Sequence, residues 1–276
     1  NSSLETMGYR LEPQNVEFKF LESGLKTPEE DIAENTKIYL DLLLKEIKEP
    51  KDFNIELIRP PEDPLQYKRA NATILSLVRN HEATNIARSI RRFEKRFNSK
   101  FNYPYTFIND QPFTDKFKQR MRRLLKAEMN FVVIPEALWN KPDHIDQDKE
   151  RKAVAEMKKN NVAYAEKTLY HNMCRFYLGN FYRVPELEKY KYYWRIEPDV
   201  EFYSDVNYDV FKYLQGTNKI YGFAINLYDI HETVRTLWPE TLKFLSQGDN
   251  YKYVNPNGAF QWLKTDVQHN KKYKDI

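Results

Sequence analysis

Two carboxylates separated by a single proline are the residues of this sequence best placed to do chemistry. Glu197-Pro198-Asp199 follows Lys-Tyr-Tyr-Trp-Arg-Ile over residues 191–196, a run with the aromatic and β-branched content of a strand. Pro198 cannot donate to a central ladder and so ends it. Strand alternation sets Tyr193, Arg195 and Glu197 on one side, and Tyr192, Trp194 and Ile196 on the other. Two acids therefore meet at a strand end with Arg195 beside them, and open α/β sheets bind ligands outside the carboxyl ends of their strands. A hard divalent cation takes oxygen ligands and completes its shell with substrate phosphates, so one or two carboxylates suffice when the ligand is a diphosphate. The spacing suggests a nucleotide diphosphate bridged by a metal ion. A strand cap whose acids pair with surface bases is the plainer account of the same triplet.

The elements that must carry these residues alternate along the chain. From Asn71 onward, short apolar runs exchange with longer amphipathic stretches, the pattern of an α/β domain with a mostly parallel central sheet flanked by helices. The sequence predicts strands over 72–78, 105–108, 131–134 and 192–196, a shorter one over 200–203 and another over 221–227. Helices are predicted after Arg79, with Ile86, Ile90, Phe93 and Phe97 on one face, and over 114–126, 145–160, 169–178 and 208–214. A further helix over 233–245 is expected to kink at Pro239. Residues 1–68 read as a separate stem or cap segment, with one helix opened by Thr27-Pro28-Glu29-Glu30, where Thr27 and Glu30 can cap reciprocally and Pro28 wastes no amide. Residues 69–276 read as the main domain.

Composition narrows the class. With 276 residues, 41% hydrophobic and 30% charged, and with 20 Tyr, 17 Phe and 4 Trp, the chain has the material for a packed core, and disorder is excluded as its main state. The surplus of 44 Lys+Arg over 40 Asp+Glu gives only +4, too little for a dedicated nucleic-acid binder yet compatible with an anionic ligand. One cysteine, Cys174, forbids an internal disulfide and a thiolate zinc cluster. No stretch approaches the roughly 18 to 20 apolar residues of a membrane span. Opening on Asn1, the chain is expected to be a soluble piece of a longer protein.

Six strings in order carry a resemblance: Ala-Thr-Ile-Leu-Ser-Leu-Val-Arg-Asn (72–80), Arg96-Phe97-Asn98 with Phe101-Asn102-Tyr103, Ile-Asp-Gln-Asp-Lys (145–149), Tyr-His-Asn-Met-Cys-Arg-Phe (170–176), Tyr-Tyr-Trp-Arg-Ile-Glu-Pro-Asp (192–199) and Tyr-Gly-Phe-Ala-Ile (221–225). Over roughly 71–262 the chain resembles the fungal Golgi α-1,2-mannosyltransferases of glycosyltransferase family 15, the killer-toxin-resistance family. The resemblance implies a GT-A-like nucleotide-binding domain. It also implies transfer of mannose, with retention, from GDP-mannose to a mannose-terminated glycan or glycoprotein, using Mn²⁺. On this resemblance Glu197, the first acid of the family's acid-Pro-Asp triplet, is the metal ligand, and Tyr170 is the catalytic-site tyrosine close to the donor. Arg79, Arg175, Arg195 and Asp199 join Tyr170 as donor-binding candidates. A planar guanidinium suits a diphosphate because it can donate two bonds to one phosphate group. The family setting is the Golgi lumen, in a type II membrane protein held by an N-terminal anchor outside this sequence.

Family members extend past Ile276, and that portion carries the glutamate proposed to act at the anomeric carbon and the histidine that completes the metal site; His269 does not resemble it. The alternative is therefore a GDP-mannose-binding module without turnover. A metal-dependent phosphoesterase or nuclease would need a second cluster of ligands, which the sequence lacks. Other residues stay open. Lys116, Lys118, Arg120, Arg122, Arg123 and Lys126 form a basic helix that reads as a solvated face. His171 and Cys174 are better explained by packing. Asn109-Asp110 suits either a ribose or base contact or plain turn chemistry. Retention by a carboxylate nucleophile or by same-face attack is not decided by these residues. Tyr170→Phe removes only a hydroxyl, so donor use should fall while the melting temperature holds; a collapse of thermal stability would mark Tyr170 as a core aromatic.

Overall fold

The computed structural model describes residues 54–224, 231–248, 250 and 254. It divides the chain into two units, one of residues 54–220 and one of 1–53 with 221–276. The stem helix expected before residue 50 lies outside the described residues.

The first unit is built on four parallel strands. In chain order the elements are β1 (Ala72–Leu77), α1 (Ala83–Arg96), β2 (Tyr105–Asn109), α2 (Asp115–Leu124), β3 (Met129–Val133), α3 (Glu136–Trp139), α4 (Gln147–Lys159), α5 (Thr168–Gly179), α6 (Pro185–Glu188), β4 (Tyr192–Arg195) and α7 (Val210–Gly216). The sheet order is β3-β2-β1-β4. Leu75 stands opposite Thr106 on one side and Arg195 on the other, all in parallel register. β1 and β2 are buried almost throughout because helices cover both faces, as parallel sheets require.

Alternation assigns the faces. Ile74 and Phe107 point into one core with Ile86, Ile90 and Phe93 of α1, Phe117 and Met121 of α2, and Phe211 of α7. Leu75 and Ile108 point into the other, against Trp139 of α3, Phe176 of α5 and Leu187 of α6. The first core is mostly aromatic. Phe93 meets Trp194 edge-on at 5.0 Å, and Phe97 lies 4.9 Å from Phe101 and 5.1 Å from Trp194. Such tilted pairs exceed simple area burial by about 1 kcal/mol each.

Several expected elements take other forms. Residues 200–203 are not a strand; they run irregularly along α1, where side-chain pairs replace a backbone ladder. The aromatic run at 192–196 predicts a buried strand, but β4 is the last strand on its side of the described sheet, and its side chains alternate between half-buried and exposed. Residues 221–224 carry no strand, and 225–227 lie outside the described residues. In the second unit the expected kinked helix is two helices, α8 (His231–Val234) and α9 (Leu237–Leu245). The break falls before the proline, so that Pro239 occupies the first turn of α9, where its missing amide breaks no intrahelical bond.

One buried acid gathers the edge of the aromatic core. Asp209 is fully buried and accepts from Tyr103 Oη at 2.7 Å, from Tyr67 Oη at 2.9 Å, and from the amides of Phe211 and Lys212 as the cap of α7. Its own amide donates to Ile58 O at 2.7 Å. Burial first, and then the charge of Asp209, push the Tyr103 phenol far above its ordinary range, so it stays a donor at any ordinary pH. Asp209→Ala leaves these buried donors without an acceptor and should lower stability by about 3 kcal/mol, a drop of about 10 °C in melting temperature. Asp209→Asn, which keeps one carbonyl acceptor, should recover part of it in thermal melts followed by circular dichroism.

Candidate active site

At the carboxyl ends of β1, β2 and β4 lies a cavity of about 520 Å³. β1 delivers Arg79 and Glu82, β2 delivers Asn109 and Asp110, β4 delivers Glu197, and α5 delivers Tyr170 across from them. The convergence follows from strand order, because β1 lies between β2 and β4 and all three run the same way.

The turn after β1 is tight. The Arg79 amide donates to Glu82 Oε2 at 2.8 Å across the 3₁₀ turn Asn80–Glu82, and α1 begins at Ala83. The positive end of a 14-residue helix therefore opens beside the cavity, where it favours an anion. Arg79 lines the cavity, and among the described residues its side chain forms no ion pair.

Glu197 sits at the end of β4 with its side chain 31% exposed. Arg195 Nε donates to its Oε1, and the Arg195 guanidinium lies 3.6 Å from the centroid of the Tyr177 ring on α5. Burial raises the Glu197 carboxyl above its ordinary value; Arg195 opposes the rise and the nearby charge of Glu82 adds to it. A carboxylate held partly out of water beside another acid is a site that gains from a cation. Among the described residues no three His, Cys, Asp or Glu side chains form a ready-made cage. The donor set, hard oxygens in small number, fits a Mg²⁺ or Mn²⁺ that takes the rest of its shell from phosphate and water.

The sequence-derived candidates separate into two groups. Arg79, Tyr170 and Glu197 line the one cavity. Arg195 reaches it only through Glu197. Arg175 points away: its Nη2 donates to Trp139 O at 2.7 Å and to Asn172 Oδ1 at 3.0 Å, tying α5 to α3. Asp199 faces α1, accepting from Asn85 Nδ2 at 3.0 Å, and does not line the cavity. Tyr170 is 38% exposed and stacks on Tyr164 at 4.5 Å with 19° between the rings. His171 Nε2 pairs with Tyr164 O at 2.9 Å, while Cys174, expected to pack, is exposed. Asn109 makes the turn, its Nδ2 donating to Gln111 O at 2.9 Å, and both Asn109 and Asp110 line the cavity.

Sequence reasoning missed Glu82, Met173 and the wall from Glu166 to Leu169. Two signals were available. Arg79 and Glu82 have the three-residue spacing of a reciprocal helix start. Tyr170, Met173 and Tyr177 fall at helical spacing on one stripe of α5. Residues 166–168, Glu-Lys-Thr, carry no pattern that would have drawn attention.

The raised carboxyl has a sign that can be measured. Glu197 holds its proton more tightly folded than unfolded, so its contribution to stability falls as pH rises from its ordinary value through the raised one. Glu197→Gln should remove that fall: relative to the unaltered chain, the variant should melt higher near neutral pH than near about pH 4, in thermal melts without added metal.

Comparison with known proteins places this cavity in context. The sequence pattern of the glycolipid 2-alpha-mannosyltransferase family matches residues 28–275. The probable mannosyltransferase KTR4 of Saccharomyces cerevisiae is 48% identical over 248 residues, 89% of this chain and 52% of that protein. Among solved structures, the S. cerevisiae mannosyltransferase Ktr4p in complex with GDP superposes with a TM-score of 0.75 at 45% identity, over 98% of this chain and 66% of that one. Core-mannan synthase A of Aspergillus fumigatus, in its Mn/GDP form, gives 0.68 at 38% identity, over 80% of this chain and 59% of that one. The chain thus spans about half the length of the curated relative it matches. The parallel sheet between two helical layers, with these neighbours, is the GT-A-like α/β fold expected from the sequence.

Proposed function

Because the chain belongs to the glycolipid 2-alpha-mannosyltransferase family, we propose that it binds GDP-mannose with Mn²⁺ and transfers the mannosyl group, with retention, to a mannose-terminated glycan or glycoprotein in α-1,2 linkage. One observation carries the reading: Glu197 and Arg79 face a single cavity at the carboxyl ends of β4 and β1, beside the opening turn of α1. A cation, an arginine and a helix N-terminus are together the complement of a diphosphate. The relatives crystallised with GDP and with Mn/GDP support the donor and the metal.

The chemical task is to let GDP depart from C1 of mannose as an acceptor hydroxyl arrives. Glu197, and Glu82 next to it, would hold Mn²⁺, which neutralises charge developing on the leaving phosphate. Arg79 would donate to the diphosphate, and the α1 terminus would add its dipole. Arg195, stacked on Tyr177, keeps one oxygen of Glu197 engaged and directs the other toward the cavity. Tyr170 lines the cavity from α5 and would lie close to the bound donor. Asp110, which also lines the cavity, would accept from a ribose hydroxyl or a base N–H of the donor.

Family membership also carries the proposed setting, the Golgi lumen behind an N-terminal membrane anchor. Among the described residues no helix is long and apolar enough to cross a membrane. The second reading to be tested is a donor-binding module without turnover. Two measurements separate the readings. Isothermal titration should show GDP binding strengthened by Mn²⁺, and Glu197→Gln should weaken that Mn²⁺-dependent part by about tenfold or more, since a neutral amide is a poor ligand for a hard cation; unchanged metal dependence sinks the assignment. GDP-mannose with methyl α-mannoside should yield an α-1,2-linked disaccharide, whereas binding without product identifies the inert module.

A further inference from the structure

Past Glu197 the chain turns away from the cavity and runs along α1. Asp199 takes φ +66°, a left-handed conformation that aspartate and asparagine tolerate better than other side chains. Its Oδ2 accepts from Asn85 Nδ2 at 3.0 Å, and Arg88 Nη1 lies 3.8 Å from Oδ1. The pattern then repeats. Arg92 pairs with Glu201, Arg96 Nη1 donates to Asp205 Oδ1 at 3.2 Å, and Lys100 Nζ donates to Asn207 Oδ1 at 2.6 Å. Arg88, Arg92, Arg96 and Lys100 recur every four residues, so one stripe of α1 and the turn after it fastens the whole segment from 199 to 207.

This places the triplet's two acids in different roles. Glu197 lines the cavity, and both oxygens of Asp199 are directed at α1 instead. Between them Pro198 has its φ fixed by its ring, which leaves the corner few ways to flex. The same helix carries at its start the Arg79–Glu82 turn, which lines the cavity beside Glu197. We propose that Asp199 is a positioning residue: latched to Asn85, it holds the Glu197-Pro198 corner at a set distance from Arg79 and Glu82, and it touches neither cation nor nucleotide. The proposal rests on the metal and nucleotide reading above. A single exposed bond of this kind stabilises the fold by little. Its leverage is geometric, because only Pro198 separates the latch from the ligand carboxylate.

The test is Mn²⁺ titration of the chain in the presence of GDP, with thermal melts run beside it. Asp199→Asn keeps the acceptor for Asn85 and tolerates the positive φ, so its Mn²⁺ affinity should stay within about twofold of the unaltered chain. Asp199→Ala and Asn85→Ala both undo the latch and should weaken Mn²⁺ binding about five- to tenfold, at temperatures where both are folded. Equal losses in Asp199→Asn and Asp199→Ala overturn the proposal, because the charge itself would then be the ligand. Unchanged affinity in Asn85→Ala also overturns it, even if the melting temperature falls, and that variant decides the matter should Asp199→Ala not fold. An unaltered chain without Mn²⁺-dependent GDP binding removes the metal reading and the latch together; intact binding in every variant removes the latch alone.

Discussion

The pairing of β4 against β1 is the constraint on which the site depends. Leu75 stands opposite Arg195, and the Ile196 amide donates to Leu75 O at 2.9 Å, so β4 stops two residues short of the level at which β1 stops, and Glu197 follows at the level of Leu77. A slip of one residue would turn Glu197 to the other face of the sheet and send Trp194 out of the aromatic core. The register is held from below by Trp194, which meets Phe93 and Phe97. It is held from above by the stack of Arg195 on Tyr177. Aromatic packing well away from the cavity therefore decides where the carboxylate stands.

The cavity's electrostatics come from deliberate imbalance. Glu82 and Glu197 repel, and Arg195 relieves only one of them, while the Arg79 charge has no acidic partner among the described residues. Each of these groups would be better satisfied with a cation or a phosphate present than without. Stability is supplied elsewhere, by two apolar layers and by the buried acceptor Asp209, which ties the segment holding Tyr67 to the core. Such a division, with a self-consistent core and a frustrated rim, is what a preorganised ligand site requires.

Much of this arrangement was legible in the residues. The aliphatic run 72–77, the three-and-four spacing of Ile86, Ile90 and Phe93, and the terminating Pro198 identify β1, α1 and the end of β4 without reference to any fold. The direction taken after a strand ends was not legible. Period-two alternation says nothing about Asp199, whose left-handed backbone turns it to α1, and the β-branched and aromatic content of 200–203 imitates a strand although its partners are helix side chains. Arg175 stands within a family string, yet a helical residue points where the buried face dictates; Asn172 and Phe176 are inside, so Arg175 reaches for Trp139 O. Where Glu166 to Leu169 would lie depended on the docking of α5, a tertiary fact with no local signature.

The exposed sulfur on α5 has a practical side. Cys174 is the sole thiol in the sequence and follows Tyr170 by one helical turn, on the element that walls the cavity. A maleimide dye would therefore couple at one position without any engineered background, giving an optical handle about 6 Å along the helix axis from the tyrosine. The chain carries its own attachment point for watching nucleotide arrive and leave in real time.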